Sequence, residues 1–529
     1  MRNFFIQNFR GIRKTNPICD VYRTGTVSAI SCKNVELKNT EDSSNVGIFT
    51  VNGNKCVKDT GKTVIGQFES IQSGVSYWFI YAVDDTKGYL YQYDILSDEL
   101  NLLDIELSKS NVCNAITIAQ GYDDWFVFTN GVDNMVAICM TQAVAEDKIK
   151  SINAIDAENR EIKGLGLEVQ DGRLVTFCKN RVHWSAQANI FDWTSSDENL
   201  LTAPAYQEFD RDVTAIAYYN NMLVVFTSDY SVSLKGNPAD ALNFVRSGAT
   251  GGGCPSFRSV IKFDNKLFYY DNKAKNVFAY YLLDIGQTRP TEGLANNVIH
   301  FFEQMDTMRL NEIELISYIY GNKSEVWFKF PTINGNVILI FDYLNQEWIE
   351  RTAQADIKAL ALIKGSLYSA SESKILKEYV GSTFDGIFIP AEYKMNVINL
   401  NSDSNVKVPK MPLILTLDFD CENDFFMEFI YDDMPEKSKV KHIVKLLKGY
   451  LIWSKDYEDD TGGSWAHNQN DENGGIWLSG ERNSVMFNLD SIRHFKRLQI
   501  KIYTKDNLQE FGIKRLELKR VRLKTKALG

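Results

Sequence analysis

A reaction centre needs acids, bases, nucleophiles or metal ligands gathered in one place, and this 529-residue chain spreads them thinly. Its five histidines, His183, His300, His442, His467 and His494, stand alone. None is at ligand spacing from another, and the zinc-protease pattern H-E-x-x-H does not occur. The eight cysteines are single, with no C-x-x-C pair. Zinc sites and disulfide-dense scaffolds both need clustered spacings. These read instead as reduced thiols packed as small hydrophobes, in a protein assembled in a cytosol. Asp418, Asp420, Glu422 and Asp424 alternate and could turn four carboxylates toward a cation, but the interleaved Phe419 and Cys421 fit a strand. The central Gly and terminal Glu of an EF-type loop are missing. Gly251-Gly252-Gly253 is followed by Cys254-Pro255. A phosphate-cradling loop would continue with Lys-Ser/Thr, so the run reads as a tight turn between strands. The S-x-D-x-G-x-x-W turn of sialidase propellers has one loose echo, Asp459-Asp460-Thr461-Gly462-Gly463-Ser464-Trp465, and G-x-S-x-G is absent. The expectation is a protein that is not an enzyme, with no catalytic residues, no cofactor and no metal.

The elements that carry these residues are strands. Tyr 25, Phe 31 and Trp 9 against Pro 10 is a strand-favouring composition, because aromatic side chains fit a pleated, half-buried surface. A unit of polar turn, strand, polar turn, strand recurs. Its anchors are Trp78, Trp125, Leu174, Leu223, Leu267, Trp327 and Leu367, spaced 47, 49, 49, 44, 60 and 40 residues apart. A period of about 45 with several short strands per unit is the signature of a propeller blade. The expected fold is all-β: a β-propeller of six to eight blades over 46–382, with insertions near 141–163 and 288–312. An extended segment, 1–45, precedes it.

Residues 383–529 read as a C-terminal antiparallel β-sandwich or platform domain. Arg497-Leu498-Gln499-Ile500-Lys501-Ile502 alternates with period two. Leu516-Glu517-Leu518-Lys519 does the same, but the next apolar pair is Val521 and Leu523, and the parity change at Lys519-Arg520 predicts a β-bulge or break. Between the strands lies a long polar loop, 454–482, whose Trp465, Trp477, Tyr457, Asp459 and Asp460 are candidate partner contacts.

The formal charge is −10, which argues against a general nucleic-acid binder. It is unevenly placed: residues 493–529 hold twelve Lys and Arg against three Asp and Glu. Arg515, Lys519, Arg520 and Arg522 in that basic end are candidate assembly contacts. The opening Met1-Arg2-Asn3-Phe4-Phe5-Ile6 does not read as a signal peptide, so none is expected, and no stretch approaches the ~18 apolar residues of a membrane helix.

Several local patterns resemble one family. Asn8-Phe9-Arg10-Gly11-Ile12, Asn16-Pro17 and Cys32-Lys33-Asn34-Val35 open it; Phe128-Thr129-Asn130-Gly131-Val132-Asp133 follows. The densest match is Asn180-Arg181-Val182-His183-Trp184-Ser185-Ala186 with Asn189-Ile190-Phe191-Asp192-Trp193. After it come Val213-Thr214-Ala215-Ile216, Leu223-Val224-Val225-Phe226, Leu234-Lys235-Gly236 and Gly253-Cys254-Pro255-Ser256-Phe257-Arg258-Ser259-Val260. Over roughly residues 5–285 the chain resembles the tail nozzle and hub proteins of short-tailed bacteriophages (tail tubular protein B, or packaged-DNA stabilisation, type). Beyond residue 285 only the general plan matches. The resemblance implies a virion protein, assembled in the host cytoplasm as a homo-oligomer, typically a six-fold ring. It would sit between adaptor or portal-side ring proteins and tail fibres or distal tail proteins, and pass double-stranded DNA without sequence preference. An acidic lumen would let the duplex slide. The alternative is a β-propeller that binds a receptor or carbohydrate.

Overall fold

The computed structural model describes residues 2–13, 18–19, 25–39, 45–194, 200–283, 287–290, 293–352, 356–398, 406–419, 425–431, 434–443, 450–454, 464–465, 474–478, 484–488, 497–506 and 509–524. These form two units. Asn52–Trp348 with Ala353–Gly386 is one; Met1–Val51, Ile349–Thr352 and Ile387–Gly529 make the other.

The first unit is a β-propeller. Antiparallel sheets succeed one another at 63–102, 114–152, 167–208, 213–246, 260–290, 314–342 and 357–378, here blades one to seven. In each blade the chain enters at the innermost strand and steps outward through hairpins. The seven inner strands are neighbours in chain order, and that of blade seven lies beside that of blade one. Six blades come from continuous chain. The seventh is completed by Asn54–Asp59, which pairs antiparallel to Lys374–Glu378 and so joins the two ends of the unit. Radial closure of this kind leaves only short edges, at the outer strands of the blades.

All seven sequence anchors sit on the second strand of their blade, and none is more than 5% exposed. The core is therefore a set of layers between blades. Trp78, Ile80 and Tyr93 of blade one pack on Ala359, Tyr368 and Ile375 of blade seven. Phe79 stacks on Phe126 across blades one and two at 4.1 Å. Trp125 and Met135 meet Leu174 between blades two and three, Trp184 meets Leu223 between three and four, and Phe226 meets Tyr269 between four and five. A buried aromatic of this size contributes on the order of 2–3 kcal/mol.

The 60-residue spacing has a structural cause. The expected insertion near 288–312 begins as strand, Gln287–Pro290, and then turns through a short helix, Ile299–Phe302. That helix drives Phe302 between blades five and six, edge-on to Tyr270 and Phe328 at 5.4 and 5.3 Å. The stretch 141–163, expected as a polar insertion, instead contains the outer strand of blade two, Ile149–Ile152. Its polar character belongs to the turn that follows, where buried Asp156 accepts from the backbone N–H groups of Glu158 and Arg160, both at 2.9 Å.

The second unit is a β-sheet assembly whose strands come from both chain ends. The described parts of 1–45, expected as an extended segment, are strands of this unit. Arg2–Ile6 pairs antiparallel with Gly512–Lys524, and Asn8–Ile12 runs parallel to Thr26–Lys33, one of the few parallel pairings in the unit. Leu498–Tyr503 lies between Glu392–Met395 and Phe425–Tyr431. Its Leu498, Ile500 and Ile502 are buried while Gln499, Lys501 and Tyr503 are half-exposed, the period-two pattern read from sequence. The parity change at Lys519-Arg520 is a bulge: Arg2 faces Val521 and Phe4 faces Leu518, so three steps on one strand oppose two on the other. Asn34, with φ of 51°, ties the unit internally. Its amide donates to Thr352 Oγ1 at 2.7 Å and to the Pro390 carbonyl at 3.2 Å, and accepts from the Thr352 N–H at 3.0 Å.

Candidate functional site: the propeller axis

The axis is where a propeller gathers side chains from many blades, and here one linker crosses it. Gly253 brings the chain so close to Ser228 that a Cβ would lie 2.1 Å from the Ser228 carbonyl oxygen. Ser256 then caps a single 3-10 turn, Phe257–Ser259, accepting from the Arg258 N–H at 3.2 Å. The turn projects Arg258 inward from the entrance of blade five. Its guanidinium donates to the Ile65 carbonyl of blade one at 3.3 Å and to Glu314 Oε1 of blade six at 2.5 Å. Blades five and one are not adjacent, so this link spans the middle of the ring.

Glu314 is the hub. Besides Arg258 it takes Lys329 Nζ at 3.1 Å and the Leu360 N–H of blade seven at 3.2 Å. Lys329 Nζ also donates to the Lys358 carbonyl. The side chains of Arg258, Glu314 and Lys329 are 9%, 8% and 1% exposed. Burial pushes the Lys329 ammonium pKa down, against the attraction of Glu314. For Arg258 burial acts the same way, but Glu314 outweighs it and the guanidinium is held charged more firmly than usual.

Cavities lie along the axis. One of about 330 Å³ is lined by inner strands of blades one, two, five, six and seven, including Gln67, Asn114 and Leu360, and by Phe257 of the 3-10 turn. Gln67 is 4% exposed, and neither of its amide atoms has a protein partner. A second, of about 310 Å³, has Arg258, Arg309, Glu312, Lys329, Lys109 and Asp85 in its wall.

Cys113 borders the hub, and a thiol beside two cations resembles an activated nucleophile. Burial instead pushes the Cys113 thiol up to about 12, so it stays protonated and inert at neutral pH. Cys254 behaves alike, also pushed up to about 12 by burial. Among the described residues no group of three His, Cys, Asp or Glu could hold a metal. The glycine run is the close-approach turn that delivers Arg258, not a phosphate cradle.

His183 is buried in blade three beside Tyr206. Burial lowers its pKa to about 4, although Asp156 pulls the other way. The unfolded chain, with a His pKa of about 6.5, takes up the proton first as pH falls. Stability is therefore lost from about pH 6.5 down to pH 4, by at most about 3 kcal/mol. Urea midpoints at pH 7 and pH 4.5 should show His183→Leu losing less on acidification than the wild type; equal losses would rule out this titration.

The contact residues expected from the sequence lie elsewhere. Trp465 and Trp477 are not in a loop: their backbones pair with Tyr450–Ser454 in a three-stranded sheet, Trp465 opposite Trp453 and Trp477 opposite Leu451. Tyr457, Asp459 and Asp460 lie outside the described residues, as do Asp420, Glu422, Asp424, His467 and His494. Arg515 is exposed, its guanidinium over the Phe5 ring at 4.4 Å. Lys519, Arg520 and Arg522 lie on the same long strand, Gly512–Lys524. Sequence reading missed the hub. Its one signal was Lys329, a lone charge between Phe328 and Phe330 in an apolar run.

The fold defines the chain's class, a β-propeller joined to a second β-sheet unit. No protein-family model matches the chain, and no curated protein matches it in sequence. Among solved structures it is similar to BamB from Moraxella catarrhalis, at 10% identity and a TM-score of 0.35, over 65% of this chain and 92% of that one. It is also similar to a putative 6-phosphogluconolactonase from Bacteroides fragilis, at 12% identity and a TM-score of 0.36, over 59% and 87%. Likeness at this level concerns fold alone. Among the described residues no helix is long and apolar enough to cross a membrane.

Proposed function

We propose that this chain is a structural, non-enzymatic protein: a hub or nozzle subunit of a short bacteriophage tail that helps retain and conduct packaged DNA. The observation carrying the structural reading is the axis. Its charged groups bond to one another and to backbone across blades five, six, seven and one, which suits a rigid wheel. A wheel plugged in this way leaves a duplex no path through its own centre, so a conduit would form between copies. Charge supports that reading. The propeller carries 28 Lys and Arg against 42 Asp and Glu, a net of −14, and the second unit 30 against 26, a net of +4. Acidic walls would repel phosphates and let DNA slide, while basic strands suit contacts with acidic neighbours.

The motifs that resemble the tail family do identifiable work in this fold. Asn34 knots the second unit, Trp184 fills the layer between blades three and four, and the run from Gly253 to Arg258 builds the plug. The experiment is negative-stain microscopy and peptide mass spectrometry of purified virions and of the purified chain. Rings of the chain, and its peptides in tail-bearing particles, are expected. A chain that stays monomeric and is absent from particles would refute the proposal.

One observation favours the second reading, an interaction module. Ile319 and Tyr320 of blade six, Ile71 and Val75 of blade one and Tyr122 of blade two are exposed at the turns between first and second strands. Apolar residues grouped on exposed turns mark contact surfaces. A pull-down from particles lacking tails would distinguish it.

A further inference from the structure

We infer that the 310 Å³ cavity beside the hub is a binding site for a small oxyanion, a phosphate or a carboxylate. The balance of charge points to it first. Among the described residues Arg258, Lys329 and Arg309 make direct ion pairs with two carboxylates, Glu314 and Glu312, while Asp356 and Asp306 attract Arg309 from farther off. Arg309 takes Glu312 through Nε at 3.0 Å and Nη2 at 2.6 Å, so Arg258 and Lys329 share Glu314 as their direct ion-pair partner, and Glu312, already engaged, attracts both only from beyond contact. Two buried cations on one direct carboxylate partner are incompletely paired, and an incompletely paired buried charge is costly. Either Lys329 gives up its proton or an anion enters the cavity that both cations border.

The rest of the wall favours the anion. Lys109 stands exposed at the rim in the linker from blade one to blade two, and Asn111 beside it adds an amide donor. Lys358 is engaged by Asp356. Two acidic groups face the cavity from blade one. The Asp84 carboxylate is occupied by Lys62 at 3.2 Å, Tyr89 Oη at 2.6 Å and the N–H groups of Thr86 and Lys87 at 2.8 and 2.9 Å. Asp85 is exposed at the rim and opposes the ligand. Arginine and lysine together supply the fork and the point charge that oxyanions take.

The test uses inorganic phosphate and acetate, each against chloride at equal ionic strength, with calorimetry and thermal denaturation of the full chain. Saturable phosphate or acetate binding with a rise in melting temperature is expected, and the preferred probe identifies the source. Lys109→Glu, at an exposed position, should weaken it about tenfold or more, and Asp85→Asn should tighten it. Lys329→Met leaves Arg258 and Glu314 as a neutral pair and should abolish the effect while the chain stays folded. Absence of binding in the wild type, or equal binding in Lys329→Met, would overturn the inference. Neither outcome depends on ring assembly.

Discussion

Replacing Glu314 with alanine is expected to destabilise the propeller by about 3–5 kcal/mol. Among the described residues the carboxylate is the direct ion-pair partner shared by Arg258 and Lys329, and it also accepts the Leu360 N–H. Removing it leaves two buried cations and an orphaned N–H at the centre of the ring. Several kcal/mol follow from unpaired charge, far more than from losing an exposed ion pair. Denaturant unfolding followed by tryptophan fluorescence would read the shift, since Trp327 and Trp78 are buried in blades on either side of blade seven. Replacing all three charges at once with Leu or Met should restore most of the loss, because apolar groups of similar volume need no partners. A Glu314→Ala midpoint shift worth less than about 1 kcal/mol would mean that water reaches the cluster.

The second large effect concerns the seam. Gly53 enters blade seven with its N–H bonded to the Gly381 carbonyl at 2.8 Å, while its own carbonyl accepts the Val380 N–H at 3.1 Å. A Cβ at Gly53 would sit 1.8 Å from the Thr383 carbonyl oxygen and 2.4 Å from its carbon. Both are backbone atoms, so no side chain can turn aside. Gly53→Val must displace either strand 54–59 or the turn at 383–386. That turn also holds Asp385, which accepts from the Cys56 N–H at 3.1 Å and from Lys374 Nζ at 2.8 Å. Overpacking commonly costs about 1–3 kcal/mol; here the loss should reach the upper end, with blade seven loosened first. Thermal unfolding of the variant and of Gly61→Val, a glycine whose Cβ would meet nothing within 4 Å, separates steric closure from glycine entropy, although Gly61 has φ of 68° and will show its own smaller strain. Equal effects would count against the seam.

What the sequence revealed follows from what repeats. Trp78, Trp125, Leu174, Leu223, Leu267, Trp327 and Leu367 could be found because every blade needs a large apolar residue on its second strand to fill the layer beside it. The bulge at Lys519-Arg520 was legible for a similar reason: a parity change cannot be hidden when one face is buried. Closure was not legible. Asn54 bonds Glu378 324 residues away at 3.1 Å, and nothing in Asn54–Asp59 marks it as the edge of the last blade rather than part of a preceding segment. The hub was hidden in the same way. Arg258 and Glu314 are 56 residues apart, and each alone reads as a charge on a solvated strand end. The outer strand of blade two within 141–163 was masked by a polar turn whose acidic and basic residues pair with one another, as Arg160 does with Asp156 at 2.8 Å.

A ring of seven sheets sealed by the strand 54–59 is the claim on which the rest depends, and amide hydrogen exchange of the intact chain tests it directly. Peptides covering Asn54–Asp59 and Lys374–Glu378 should exchange together, as slowly as the second strands of blades one and two, because opening one requires opening the other. Exchange of 54–59 at the rate of an exposed turn, with 374–378 still protected, would mean that the ring closes elsewhere or not at all.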